Sequence, residues 1–97
     1  MYQSLGEYGK AETYYKKALV ITKEIGDKGG EATCYGNLGT VYKSLGKFGK
    51  AETYQKKALV IIKEIGDKKG EAASYGSLGA VYQSFGEYGK KTTKTHL

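Results

Sequence analysis

Residues 38–65, LGTVYKSLGKFGKAETYQKKALVIIKEI, contain two amphipathic helices separated by a glycine turn. Before Gly46, the apolar residues at positions 38, 41, 42 and 45 fall on one helical face. After it, the apolar positions are Phe48, Ala51, Tyr54, Ala58, Ile61 and Ile65. Spacings of three and four residues are typical of a helix with one apolar stripe. Two such helices joined by a tight turn cannot each bury a stripe alone, so the sequence predicts that they pack together.

The rest of the chain consists of near-copies of this stretch. Residues 1–40 and 41–80 align without a gap and are identical at 29 of 40 positions. A period near 40 also occurs in WD propellers and armadillo-type solenoids. These segments, however, repeat at helical spacing, and each period leaves room for two helices and not three. The sequence therefore predicts an all-α fold, an α-solenoid of antiparallel helix pairs with about two and a half repeats.

Glycines and aspartates set the expected helix boundaries. Asp27 and Asp67 directly follow glycines, and we expect each to cap the helix that comes next. The expected helices cover residues 8–25, 28–45, 48–65 and 68–85, with residues 1–5 ending an earlier helix and residues 87–88 starting a later one. We expect one array over residues 1–90, divided into a partial repeat 1–26, a repeat 27–66 and a partial repeat 67–90, and then a disordered basic tail, 91–97.

Charge and hydropathy argue against nucleic-acid and membrane partners. The formal net charge is +6, and all 16 basic residues are lysines. Arginine is the side chain best suited to bidentate recognition of phosphate and guanine, so we expect a solvated, lysine-rich surface. The longest apolar run, residues 58–62, is far too short to span a bilayer. Cys34 is the only cysteine and can form no internal disulfide, which suits a reducing, cytoplasmic location.

No residue pattern in the sequence points to catalysis. His96 is the only histidine, and it lies in the tail without a neighbouring partner. The sequence contains no cysteine–histidine metal spacing, no phosphate-binding glycine loop and no nucleophile beside a base. We therefore expect no enzyme activity, no cofactor and no metal site.

Small residues face aromatic and aliphatic ones in the pattern of a known repeat family. The matching residues in the middle repeat are Tyr35, Leu38, Gly39, Tyr42, Gly46, Phe48, Ala51, Ala58 and Leu59. This pattern, over residues 1–90, resembles the tetratricopeptide repeat (TPR). The common TPR unit has about 34 residues. A 40-residue unit with an EIGDK turn is more similar to the long repeats of Pins-type G-protein-signalling modulators and of large multi-repeat TPR scaffolds.

The resemblance implies a right-handed superhelix whose concave side binds an extended or helical peptide of a partner protein. Carried over to this chain, the expected partner-binding residues are Thr33, Asn37, Thr40, Lys43, Ser77 and Gln83, with Gln3 and Ser4 remaining from the first repeat. TPR domains that bind acidic chaperone tails place lysine where this chain has Gly36 and Gly76. We therefore do not expect that ligand.

Three functions remain open on the sequence. The leading hypothesis is a non-catalytic protein–protein interaction module that binds a partner peptide in the concave groove. The alternative is a structural spacer, a fragment of a longer TPR scaffold without its own ligand. A third is binding of RNA or acidic lipid by the lysine pairs 16–17 and 56–57, which lack the interleaved arginines or stacking aromatics that such surfaces use.

Both ends of the array depart from the repeat. The first repeat lacks most of its first helix, and Lys91 stands where earlier copies have Ala11 and Ala51. The outer faces of the helices at 8–25 and 68–85 should therefore expose apolar residues. We expect the array to be marginally stable, to associate end to end, or to be a fragment of a longer protein.

Overall fold

Four helices joined by tight turns make up the described part of the chain. The computed structural model describes the backbone of residues 5–93 and the side chains of residues 6–86. The helices are α1 (Leu5–Ile25), α2 (Lys28–Ser44), α3 (Phe48–Glu64) and α4 (Lys68–Thr93), and this range contains no strand. Helix α2 packs against α1 and α3, α3 packs against α4, and α2 also touches α4. The predicted all-α helical repeat is confirmed, with α2 and α4 as first helices and α1 and α3 as second helices of the repeat.

The turn at Gly46 closes α2 with a repeating hydrogen-bond pattern. Gly46 has a φ of 78°, a left-handed conformation that glycine adopts without the steric cost of a side chain. The N–H groups of Gly46 and Lys47 donate to the carbonyls of Lys43 and Tyr42 at 3.0 and 2.8 Å. This is the Schellman arrangement that satisfies the last carbonyls of a helix. The same geometry recurs at Gly26 and Gly66.

Aspartates begin the helices that follow two of these turns. The Asp27 carboxylate accepts a hydrogen bond from the Gly30 N–H at 2.9 Å, and the Asp67 carboxylate accepts one from the Gly70 N–H at 2.9 Å. Each satisfies a backbone donor that has no partner inside its helix. The two predicted caps are confirmed.

The expected boundaries are wrong at the two ends of the described chain. Helix α1 begins at Leu5 and runs through Gly6, and α4 does not end at Phe85 but runs through Gly86 to Thr93. Residues 91–93, which were expected in the tail, therefore belong to α4. The predictions for residues 1–4 and 94–97, including those for Gln3, Ser4 and His96, lie outside the described residues.

Packing explains why one glycine ends a helix and its copy does not. The chain turns at Gly46 because α3 then packs on α2 and buries Ala51 completely. The position equivalent to Ala51 after Gly86 is Lys91. A lysine cannot fill that apolar slot without a large desolvation cost. Continuing the helix instead gains one backbone hydrogen bond for each residue added.

The core lies along both faces of α2. Leu38 and Tyr42 are completely buried, and Val81 of α4 packs in the same cluster. The ring of Tyr54 lies between those of Tyr35 and Tyr42, with centroid distances of 5.9 and 5.2 Å. A buried phenol needs a hydrogen-bond partner, and the Tyr42 hydroxyl donates to Glu12 at 2.6 Å.

Apolar side chains are exposed on the outer helices, as expected. They are Tyr14, Val20, Ile21 and Ile25 on α1, and Tyr75, Tyr82 and Phe85 on α4. Over the described range, none of the helices combines the length and the apolar character that crossing a membrane requires.

Candidate functional site

Two adjoining cavities lie between α2 and α4. Their volumes are about 300 and 280 Å³, and their walls share Thr40, Gln55, Ala73 and Ser77. Because they share walls, they form one open trough, here named the α2–α4 groove. Residues with a small side chain or none contribute much of its lining: Gly29, Ala32, Gly36, Gly70, Ala73, Gly76 and Ala80.

Five of the six residues predicted to contact a partner line the α2–α4 groove. Thr33 and Asn37 line the larger cavity, Lys43 lines the smaller one, and Thr40 and Ser77 line both. The sixth, Gln83, lines neither cavity and is exposed on α4. The fold thus brings together predicted residues from α2 and α4. Their contact with a ligand stays a prediction.

The polar side chains of the groove retain hydrogen-bonding capacity. The hydroxyls of Thr33 and Thr40 donate to the carbonyls of Gly29 and Gly36, at 3.0 and 3.2 Å, so their oxygens are left as acceptors. Asn37 is half-buried, and its amide makes no hydrogen bond to another residue of the described range. A primary amide donates and accepts together, which is what pairing with a peptide backbone requires.

Charge is distributed unevenly along the groove. Lys43, in the smaller cavity, is half-buried and has no ion pair among the described residues. Asp67, in the larger cavity, already accepts the Gly70 N–H as a helix cap. The groove therefore carries the Lys43 ammonium in its smaller cavity and the Asp67 carboxylate in its larger one, and the ammonium favours a carboxylate on a bound segment.

Gln55 of α3 lines both cavities and was not selected from the sequence. It is only 3 % exposed, and its Nε2 donates to the Gly36 carbonyl at 3.1 Å. A buried amide is stable only when such bonds are made. The sequence did carry a signal, because Gln55 is the one residue of 51–60 that differs from its copy in 11–20, Tyr15.

Outside the groove, a tyrosine, a glutamate and a lysine meet in the same way in successive repeats. The Glu12 carboxylate accepts from Tyr42 at 2.6 Å and pairs with Lys16 at 3.1 Å. The Tyr42 bond, with help from Lys16, lowers the pKa of Glu12. Burial, reinforced by the hydrogen bond to Glu12, raises the pKa of Tyr42 to about 12. A phenol held protonated and a carboxylate held ionised fix the register between helices and are poorly suited to proton transfer.

The second copy of this triad is made by Tyr82, Glu52 and Lys56. The Tyr82 hydroxyl donates to Glu52, and Lys56 pairs with the same carboxylate at 3.1 Å. These contacts link each first helix to the second helix before it. No group of histidine, cysteine, aspartate or glutamate side chains in the described range could hold a metal ion.

Comparison with known proteins adds one finding to this geometry. The family model described as "Tetratricopeptide repeat" matches residues 1–64, more than half of the chain. No curated protein matches the sequence. The matched range covers α1, α2 and α3 and ends just before the turn at Gly66. It identifies the repeat and does not distinguish the 40-residue subtypes from the others.

Proposed function

Because this chain belongs to the tetratricopeptide repeat family, we propose that it is an interaction module that holds a segment of a partner protein in the α2–α4 groove. TPR is a non-catalytic repeat, and its arrays generally mediate protein–protein interaction. The observation that carries the proposal is the convergence of Asn37, Lys43 and Ser77, from two helices, on one open trough.

The lining of the groove suggests the chemistry of the bound segment. Gly36 and Gly76 let a peptide main chain approach the helices closely, and the neighbouring alanines leave room only for small side chains. Asn37 offers an amide to the backbone of the segment, and Lys43 offers an ammonium to a carboxylate. We therefore propose an extended segment with small neutral side chains and one acidic residue near Lys43.

A groove variant and a matched control test this proposal. The variant is Asn37→Ala combined with Lys43→Glu. The control is Lys63→Glu, which makes the same charge change at an exposed residue of α3 that lines neither cavity. Peptides that bind the natural chain are selected from an array, and their Kd is measured by fluorescence anisotropy. We expect the groove variant to lose at least about tenfold in affinity, roughly 1.4 kcal/mol, while the control keeps its Kd. Equal affinities for the two variants would refute the assignment of the groove.

The second candidate function is a structural spacer of a longer TPR scaffold without its own ligand. Ala73, Gly76 and Ala80 favour it, because they give the α4 wall little hydrogen-bonding capacity. An array screen without any saturable binder would support the spacer over the module. Nucleic acid and membranes are not partners in either version, and a nucleic-acid titration should show no salt-dependent affinity. The lone buried thiol of Cys34 suits the cytoplasmic location that belongs to the same proposal.

End-to-end self-association is a further part of the proposal. It is supported by the apolar side chains exposed on α1 and α4, which are the outer helices of the described range. A large exposed apolar patch on a protein often marks a surface that binds another protein.

A further inference from the structure

The contact between α2 and α3 shows how a first helix of this chain is covered by a second helix. The Tyr54 ring fits between Tyr35 and Tyr42, and it leaves Tyr35 only 7 % exposed and Tyr42 completely buried. Gln55 occupies the space that a side chain at position 39 would need. A Cβ on Gly39 would lie only 2.7 Å from Gln55 Nε2. This contact serves as a template for any other pair of the same helices.

Within the described residues, helix α4 presents the same face without a cover. Tyr75 and Tyr82 are the copies of Tyr35 and Tyr42, yet they are 50 % and 48 % exposed. Gly79, the copy of Gly39, has nothing within 4 Å of the place where a Cβ would be. The Tyr82 hydroxyl donates to Glu52, as that of Tyr42 donates to Glu12. Helix α4 therefore packs on α3 as α2 packs on α1. The face of α4 that remains open is equivalent to the face of α2 that α3 covers.

Helix α1 presents the complementary face. Residues 8–25 and 48–65 are identical at 15 of 18 positions, so α1 is a close copy of α3. Tyr14, the copy of Tyr54, is 67 % exposed, and Ile21 is 56 % exposed although its copy Ile61 is buried. Within the described range no helix covers these two side chains, because α1 packs only on α2, and by its other face.

The residues after Gly86, which occupy the positions of α3 in the next repeat, are poorly suited to cover the open face of α4. The positions equivalent to Ala51 and Tyr54 are Lys91 and Lys94. Ala51 is completely buried, and the Tyr54 ring fills the space between two other rings. Two lysines in these places would bring unpaired charge into an apolar contact, at a cost of several kcal/mol. Helix α1, in contrast, has Ala11 and Tyr14 at the positions equivalent to Ala51 and Tyr54.

We propose that a second copy of this chain docks head to tail on α4, with its α1 covering α4 as α3 covers α2. Tyr14 of the second copy lies between Tyr75 and Tyr82, and its Ile21 packs where Ile61 packs on α2. The two faces differ, so each docked copy leaves one face of each kind open, and further copies can add in the same direction. This inference makes the proposed self-association specific and does not depend on a ligand in the α2–α4 groove.

Three variants of the full chain test the inference by analytical ultracentrifugation across a wide range of concentrations. Tyr75→Glu blocks the α4 face, and Ile21→Glu blocks the α1 face. Val60→Glu is the matched control, because Val60 of α3 is also 56 % exposed and lies outside both faces. We expect the natural chain and the control to exceed the monomer mass of 10.6 kDa as concentration rises. Each blocked variant should need at least a tenfold higher concentration to do so. Circular dichroism should show equal helix content in all four proteins.

Mixing the two blocked variants decides the direction of docking. One still has an intact α1 face and the other an intact α4 face, so an equimolar mixture should form a dimer of one chain of each kind and stop there. The inference would be overturned by a natural chain that stays monomeric throughout, by a mixture that stays monomeric, or by a blocked variant that dimerises alone at the concentrations at which the natural chain does. The groove variant Asn37→Ala/Lys43→Glu should associate like the natural chain, which keeps a failure of the proposed function separate from a failure of this interface.

Discussion

Replacing Gly39 with alanine should destabilise this protein, although alanine is the better helix former. Gly39 lies in the middle of α2, directly against the side chain of Gln55. A Cβ at this position would be 2.7 Å from Gln55 Nε2 and 2.9 Å from both Cδ and Cγ. These distances are far shorter than van der Waals contact. The glutamine must therefore move if the methyl group is to fit.

The magnitude follows from what Gln55 loses. Moving it strains a packed site, which costs about 1–3 kcal/mol. It also breaks the 3.1 Å bond to the Gly36 carbonyl and leaves a buried amide without its partner, which costs about 1–3 kcal/mol. The helix gains about 1 kcal/mol from replacing glycine with alanine. We therefore expect Gly39→Ala to lower the free energy of unfolding by about 1–5 kcal/mol.

The next repeat supplies the matched control. Gly79 occupies the same position in α4, and no atom lies within 4 Å of the place that a Cβ would take there. The propensity gain then stands alone, so Gly79→Ala should raise the free energy of unfolding by up to about 1 kcal/mol. One substitution at two equivalent positions thus has opposite predicted signs.

Urea unfolding followed by the helical circular dichroism signal measures both effects through linear extrapolation. The measurement belongs at the lowest practical concentration, so that association through α4 does not contribute. Adding Gln55→Ala should remove most of the cost of Gly39→Ala, a coupling that a double-mutant cycle detects. The reasoning would be refuted if Gly39→Ala were as stabilising as Gly79→Ala, or if Gln55→Ala left the effect of Gly39→Ala unchanged.

Three further outcomes are expected. Tyr42→Phe should cost about 1–2 kcal/mol at neutral pH, because it removes a buried bond to an ionised carboxylate, and Tyr82→Phe should cost less, since Tyr82 is half exposed. The pKa of Glu12 in the folded state lies below its ordinary 4.5. The stability gap between the natural chain and Tyr42→Phe should therefore persist above that value and narrow as pH falls through the folded pKa in an acid titration of unfolding. Asp67→Ala should cost about 1 kcal/mol in thermal unfolding, while Asp67→Asn should be nearly neutral.

The sequence by itself determined the features that rest on local rules. Apolar spacing identified the helices and the faces that pack, and the glycine–aspartate pairs at 26–27 and 66–67 located two turns and caps. The resemblance to the tetratricopeptide repeat assigned Thr33, Asn37, Thr40, Lys43 and Ser77 to one side of the first helices. These features could be predicted because helix periodicity, capping and turn geometry depend on residues a few positions apart.

Only the tertiary structure decided where equivalent residues behave differently. Gly46 ends a helix and Gly86 does not, since the turn at Gly46 leads to a buried Ala51, whereas a turn at Gly86 would lead to Lys91. Gln55 fills the space beside Gly39, whereas the equivalent space beside Gly79 is empty. Lys43 lines the α2–α4 groove, whereas its copy Gln83 lies outside it. Each of these outcomes depends on which helix is available to pack, and that energy comes from residues far apart in the chain. A repeat pattern therefore assigns the same role to every copy, whereas long-range packing decides which copies perform it.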